Sequence, residues 1–147
     1  MKKSILYLLM FVLTIGLTTS CSSDDDSSGG SESGIVGKWN LTQAGGYDEN
    51  GTLFFVDVFQ LCPGKNYLEV EFFADGTFHS EMYEYECEHD SSSGTYTVNG
   101  NILTGIAFGD EGGEAEPLTI EELTSTKLKL KGTDDEDGDF YLVFTRM

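Results

Sequence analysis

The chain has 147 residues and sets 26 acidic side chains against eight lysines and arginines, a formal net charge of −18. That length suits one folded domain behind a leader. The charge excludes nucleic acid and anionic lipid surfaces as natural partners, because both repel it.

At the start, Lys2 and Lys3 precede an apolar run of 13 residues, Ile5–Leu17, and the small residues Thr18, Thr19 and Ser20 lead to Cys21. A basic head, a short apolar core and small residues before a cleavage point make a secretory leader. The run is too short to cross a bilayer, which takes about 20 apolar residues. With a cysteine at the cleavage point, the segment resembles a bacterial lipoprotein signal over residues 1–20. The resemblance implies that Cys21 becomes the mature N-terminus. Its thiol would carry a diacylglyceryl group and its amine a third acyl chain, enough to hold the protein stably at a membrane. The signal departs from the usual pattern by placing Thr18 three residues before the cysteine, with Leu17 one further back. This looseness, and the acidic stretch after the cysteine, resemble lipoproteins of the Bacteroidetes that are exported to the cell surface. A lipid-anchored position on the outer membrane of a Gram-negative cell is therefore expected. Ser22–Gly34 contains only Ser, Asp, Gly and Glu. It offers nothing to bury and reads as a flexible linker, residues 21–34, spanning about 20 Å. Loss of the leader removes two lysines and no acid, leaving six basic residues against 26 acidic and a charge of −20.

From Ile35 to Met147 no helical period appears. Nine short β-rich runs are separated by turn signals: Ile35–Gln43, Thr52–Leu61, Tyr67–Phe73, Thr77–Cys87, Thr95–Val98, Ile102–Phe108, Leu118–Leu123, Lys127–Gly132 and Phe140–Arg146. Asn50-Gly51, Asp75-Gly76, Asn99-Gly100 and Asp137-Gly138 supply residues that tolerate positive φ in tight hairpins. Period-two alternation assigns the inward faces: Leu68, Val70 and Phe72; Tyr96 and Val98; Leu128 and Leu130; Phe140, Leu142 and Phe144. The second run, with Phe54, Phe55, Val56, Val58 and Phe59, is apolar on both faces, so it is either covered outside or exposes a patch. With Cys21 assigned to lipid, Cys62 and Cys87 remain. In an oxidising compartment an even pair reads as a disulfide.

The pattern specifies an all-β domain, an up-and-down antiparallel meander β-barrel of 8 to 10 strands, which closes to remove its edges. Nine strands conflict with a closed antiparallel meander, which needs an even number. Either one run is misassigned, most plainly among the first two or around Leu118–Leu123, or the first and last strands meet in parallel. Strand direction puts the tight turns at Asp75-Gly76, Asn99-Gly100 and Ser125 at one end. The longer acidic loops Cys62–Asn66, Glu88–Ser93, Gly109–Glu116 and Thr133–Gly138 fall at the other, where a mouth is expected.

Gly37-Lys38-Trp39 resembles the Gly-x-Trp opening of lipocalins. Phe73-Ala74-Asp75-Gly76-Thr77-Phe78, Cys87 before Gly94-Thr95-Tyr96, Asn99-Gly100-Asn101-Ile102-Leu103 and the terminal Phe144-Thr145-Arg146 resemble, in order, the lipocalin-like lipoprotein domains of Bacteroidetes. The resemblance covers nearly all of residues 35–147. It implies a stack of Arg146 over Trp39, a structural cation–π contact, which itself requires an even strand count. It also implies a binding module for a small apolar or amphipathic ligand.

The aromatic residues Phe59, Phe72, Tyr83, Tyr96, Phe108 and Phe140 are the candidate lining of such a pocket. The competing reading is a filled barrel, since eight strands leave room for side chains or for one small ligand. The domain would then act as a structural or interaction module through its acidic rim or its second strand. Asp135, Asp137 and Asp139 form an acidic hairpin turn that could offer oxygens to Ca²⁺ but does not fit an EF-hand register. His89 beside Cys87 could hold a metal only if the thiol were free. No nucleophile elbow, zinc-protease motif or phosphate loop is present, so no enzyme and no cofactor is expected. The sequence leaves the oligomeric state open.

Overall fold

The computed structural model describes residues 32–107, 115–134 and 138–147. Cys21, Phe108, Asp135 and Asp137 lie outside them. The described residues begin with a single helical turn, α1 (Glu32–Ile35), and continue through ten strands: β1 (Gly37–Tyr47), β2 (Leu53–Asp57), β3 (Leu68–Phe72), β4 (Thr77–Tyr83), β5 (His89–Thr95), β6 (Thr97–Asn99), β7 (Ile102–Thr104), β8 (Leu118–Leu123), β9 (Lys127–Asp134) and β10 (Gly138–Arg146). All neighbouring pairs are antiparallel. The sheet runs β5-β4-β3-β1-β10-β9-β8-β7-β6, with β2 added beside β1.

Two pairs of these strands share a place in the ring, which resolves the parity conflict. β2 and β3 lie end to end along the same side of β1: Asp57 to Leu53 face Gln43 to Tyr47, and Glu69 to Phe72 face Asn40 to Gly37. Between them the chain makes an excursion that carries Cys62, after the Val58 amide has donated to the Thr42 carbonyl at 2.9 Å. β5 and β6 are likewise consecutive, separated only by Tyr96. One pairs with β4 and the other with β7, so a single stretch of chain lies at both margins of the sheet and joins them. The ten strands thus fill eight places around a nearly closed barrel.

The strands differ from the runs read in the sequence at several points. β1 continues to Tyr47, and Ile35 belongs to α1. The fourth run stops at Tyr83 and gives way to a 3₁₀ turn, Tyr85–Cys87, in which Glu86 and Cys87 take positive φ of 62°. The segment Glu88–Ser93, expected as a mouth loop, is mostly strand. His89–Thr95 pairs with β4 through its backbone although every residue of it but Gly94 is exposed. The sixth run ends at Thr104, because Gly105 turns the chain at φ 94°.

One end is sealed. α1 places Ile35 in the barrel base, where it is fully buried with Trp39, Val70, Phe72, Leu103, Leu128, Leu130 and Phe144. Each such burial stabilises by about 1.5–3 kcal/mol before entropy is counted. The Trp39 indole N–H donates to the Ile35 carbonyl at 2.7 Å. Trp39 and Arg146 are register partners on β1 and β10, and the guanidinium lies over the indole at 4.1 Å. Its N–H groups donate to the carbonyls of Gly34, Val36 and Ser125 at 2.7–2.8 Å. Arg146 thereby joins α1, the β8–β9 turn and the last strand. Gly34, placed in the linker by its composition, is part of the fold.

Candidate functional site

Among the described residues the other end is open. A bulge between Leu41 and Gln43 shifts the alternation of β1, so that Ala44 rather than Gln43 shares the inward side with Leu142 and, beyond it, Leu130. Across β1, Val56 faces Ala44 and Phe54 faces Gly46. Phe54 and Val56 therefore sit on the barrel-facing side of β2, continuing the inward series that ends at the half-buried Val58. Yet Phe54 is 45% exposed and Val56 53%. An apolar inner wall that stays wet means that this end of the barrel is not filled. Gly46 adds to the gap, since a methyl group there would meet only the Asp139 carbonyl oxygen, at 3.8 Å. Phe140 closes the wall below. The tip of its ring fills the space that a side chain would take at Gly132, its register partner on β9.

The expected pocket residues divide between the two ends. Phe72 and Tyr96 meet edge to face at 4.9 Å in the sealed base, where the Tyr96 hydroxyl donates to the Phe73 carbonyl. They are core, remote from the opening, because β3 ends beside Gly37 and Tyr96 follows the base end of β5. Tyr83 is on the outer face, stacked on His89 at 4.6 Å with the Lys65 ammonium 4.9 Å over its ring. Phe59 belongs to the excursion between β2 and β3 and is 76% exposed. Of the six, Phe140 lines the opening and Phe108 lies outside the described residues. Phe54, Val56 and Gly46 were not singled out as lining. The signal for them was the Gly45-Gly46 doublet paired with an unbroken apolar run.

The Cys62–Cys87 disulfide ties the excursion to the 3₁₀ turn after β4 at this open end. It fixes one side of the mouth, where Glu84, Glu86 and Glu88 would otherwise repel one another. Outside the barrel the same region is braced by aromatic packing. Phe55 lies over Gly45 and 5.9 Å from Tyr141, Tyr47 meets Tyr141 edge to face, and the Lys129 ammonium sits 4.8 Å over the Tyr141 ring. The Tyr47 and Tyr141 hydroxyls share a hydrogen bond at 3.2 Å. That bond, with desolvation and nearby acids, pushes the Tyr141 phenol up to about 12.

Asp139 is occupied. Its carboxylate takes the Lys131 ammonium at 2.6 Å and the Thr133 hydroxyl at 2.8 Å, in that order holding its pKa below the usual carboxylate range. Its partners in the calcium reading, Asp135 and Asp137, lie outside the described residues. Among the described residues no three His, Cys, Asp or Glu side chains gather as metal ligands. His79 bonds Ser93 through Nδ1 at 2.8 Å on the outer face. It borders a polar cleft of about 150 Å³ with Lys38, Glu69, Glu71 and Glu81. Within that cleft the Glu69 carboxyl is pulled up by burial, but its bonds to Lys38 and Asn66 outweigh this and hold it below the ordinary range. The cleft is small against the 300–1,000 Å³ of typical ligand sites, and its one lysine, Lys38, is already paired with Glu69. Among the described residues no helix is long and apolar enough to cross a membrane.

Comparison with known proteins agrees with this architecture. Residues 35–130, more than half of the chain, match a lipocalin-like domain family. Among solved structures, the chain resembles a lipocalin-like protein from Bacteroides uniformis ATCC 8492, with 20% identity and a TM-score of 0.53 over 78% of this chain and 99% of that one. It is also similar to an uncharacterized protein from Bacteroides eggerthii DSM 20697, at 18% identity and TM-score 0.49 over 77% and 99% of the two chains. Lobster apocrustacyanin A1 aligns at 20% identity and TM-score 0.48 over 78% of this chain and 62% of that one. No match was found among curated proteins. At 20% identity the likeness to the Bacteroides uniformis protein speaks for the fold alone. The barrel of eight places, its sealed base and the span of the family match together identify the chain as a member of the lipocalin-like domain family.

Proposed function

We propose that this protein is a lipid-anchored, surface-exposed binding module, without enzymatic activity, that holds a small apolar or amphipathic ligand at the open end of its barrel. One observation carries the reading: Phe54 and Val56 occupy inward-facing positions on β2 and remain about half exposed, while the base below them is packed. Leaving an apolar inner wall in water is unfavourable at about 25 cal/mol per Å². An apolar chain laid across Gly46 between Phe54 and Phe140 would relieve that. The packed base confines the ligand to the upper half of the barrel, so the site is shallow.

The test is titration with a neutral solvatochromic alkyl probe. Saturable binding is expected. Val56→Glu should weaken it by about tenfold or more while leaving stability within about 0.5 kcal/mol, as for other exposed positions. Absence of saturable uptake, or identical uptake by Val56→Glu, would contradict the reading. The anchor is tested separately: Cys21→Ala should free the protein from membranes, and retention of that variant would refute lipidation.

A further inference from the structure

We infer, resting on the binding site proposed above, that the open end selects an amphiphile with a cationic head, an alkylamine or alkylammonium, over one with a carboxylate head. The register of β5 carries the argument. Phe78 faces Gly94, Ser80 faces Ser92 and Met82 faces Asp90. Phe78 is buried and Met82 packs against the core, so their partners lie on the inward side of β5. Asp90 is the uppermost of these, at the mouth. Counted around the eight places, β5 stands opposite β10, so Asp90 faces the apolar wall that Phe140 and Leu142 build. On β9 the inward series Leu128, Leu130 and Gly132 runs up toward the mouth. A ligand whose chain covered Phe54 and Val56 would present its head between these walls.

Among the described residues, the cations of the domain are engaged elsewhere. Lys127, Lys129 and Lys131 alternate outward on β9 and pair with Glu122, Glu121 and Asp139 at 2.6–2.8 Å. Lys38 pairs with Glu69 in the outer cleft. Lys65 lies over the outer face of Tyr83, and Arg146 is held in the base. The chain as a whole carries −18, and the turn after β4 adds Glu84, Glu86 and Glu88 at the same rim. A carboxylate head would enter a field of its own sign. An ammonium head would find its counter-charge there.

The experiment compares three amphiphiles of equal chain length, each below its micellar concentration: an alkyltrimethylammonium, the neutral alcohol and the carboxylate. Their binding to purified protein is read by displacement of the neutral fluorescent probe. The ammonium should bind about tenfold tighter than the carboxylate at low salt, with the alcohol between them and the gap narrowing at high salt. Asp90→Asn should cut the preference by about threefold, while Glu71→Gln, which removes the same charge from the outer face, should leave it nearly intact. Equal or tighter binding of the carboxylate, with the alcohol still bound, would overturn the charge selection and leave the binding site standing. An equal loss in Glu71→Gln and Asp90→Asn would overturn it as well, because the preference would then belong to the net charge. Failure of all three amphiphiles to displace the probe would remove the binding site and this inference together.

Discussion

Replacing Arg146 by methionine, which keeps the stem and removes the guanidinium, should cost the fold about 3–4 kcal/mol. The figure follows from what the group touches. Its contact over the buried Trp39 ring at 4.1 Å is partly desolvated and is worth about 1–2 kcal/mol. Its three hydrogen bonds, to Gly34, Val36 and Ser125 at 2.7–2.8 Å, would each give about 1.5–3 kcal/mol if buried. The Ser125 bond is exposed and the other two are half-buried, so water can replace much of them. About 0.5–1 kcal/mol each is the appropriate discount. Lysine at the position keeps the charge but loses the planar fork and should recover less than half of the loss. The assay is equilibrium urea unfolding followed by fluorescence of Trp39, the only tryptophan in the chain. The denaturant slope should stay unchanged, so that the midpoint shift reports stability. A loss under about 1 kcal/mol, or a lysine variant as stable as the parent, would show that the stack is ornamental and that the base is held by apolar packing alone.

Removing the disulfide by Cys62→Ala with Cys87→Ala frees a loop whose ends are 25 residues apart; the chain-entropy estimate is about 3.5 kcal/mol, read as the difference between oxidised parent and variant in urea. Gly105→Ala should destabilise by more than about 2 kcal/mol, because φ is 94° there and a Cβ would overlap the Thr95 carbonyl oxygen. Gly51→Ala, at φ 74° with nothing within 4 Å, should cost only about 1–2 kcal/mol, and equal thermal shifts for the two would refute the close approach. In alkali, the Tyr141 phenol is raised to about 12 by its bond with Tyr47, against an ordinary value of about 10. A raised folded pKa stabilises fully below the unfolded value and loses that stabilisation as pH climbs toward the folded one. Stability should therefore fall between about pH 10 and 12, and Tyr47→Phe should bring the Tyr141 absorbance titration back toward an ordinary tyrosine.

The fold was legible wherever one face of a strand is wet and the other dry. Lys127-Leu128-Lys129-Leu130-Lys131 and Leu68-Glu69-Val70-Glu71-Phe72 show their alternation openly, and both strands follow it. β5 was not legible. Its sequence, His-Asp-Ser-Ser-Ser-Gly-Thr, has the composition of a loop, and it becomes strand because β4 offers it a ladder of backbone partners. The odd strand count arose where β2 and β3 share one place in the ring. No local signal distinguishes an interrupted strand from two neighbours. The site was partly hidden for a related reason. Alternation tells which face a residue takes but not its height along the barrel axis. Phe72 and Tyr96 face inward as expected and yet fall in the base. In β2, Leu53-Phe54-Phe55-Val56 is apolar at every position, so its inner face could be chosen only through the register with β1. That register is set past a bulge that Thr42-Gln43-Ala44 does not announce.

The most direct test of the account is to map where an apolar probe touches the protein, using amide and indole NMR signals during titration with the neutral alkyl probe. The account predicts saturable shifts at Gly46, Phe54, Val56, Phe140 and Leu142, with the Trp39 indole N–H unmoved because the base is sealed. Shifts centred on Trp39, Phe72 and Tyr96, or no saturable shift at the open end, would contradict it.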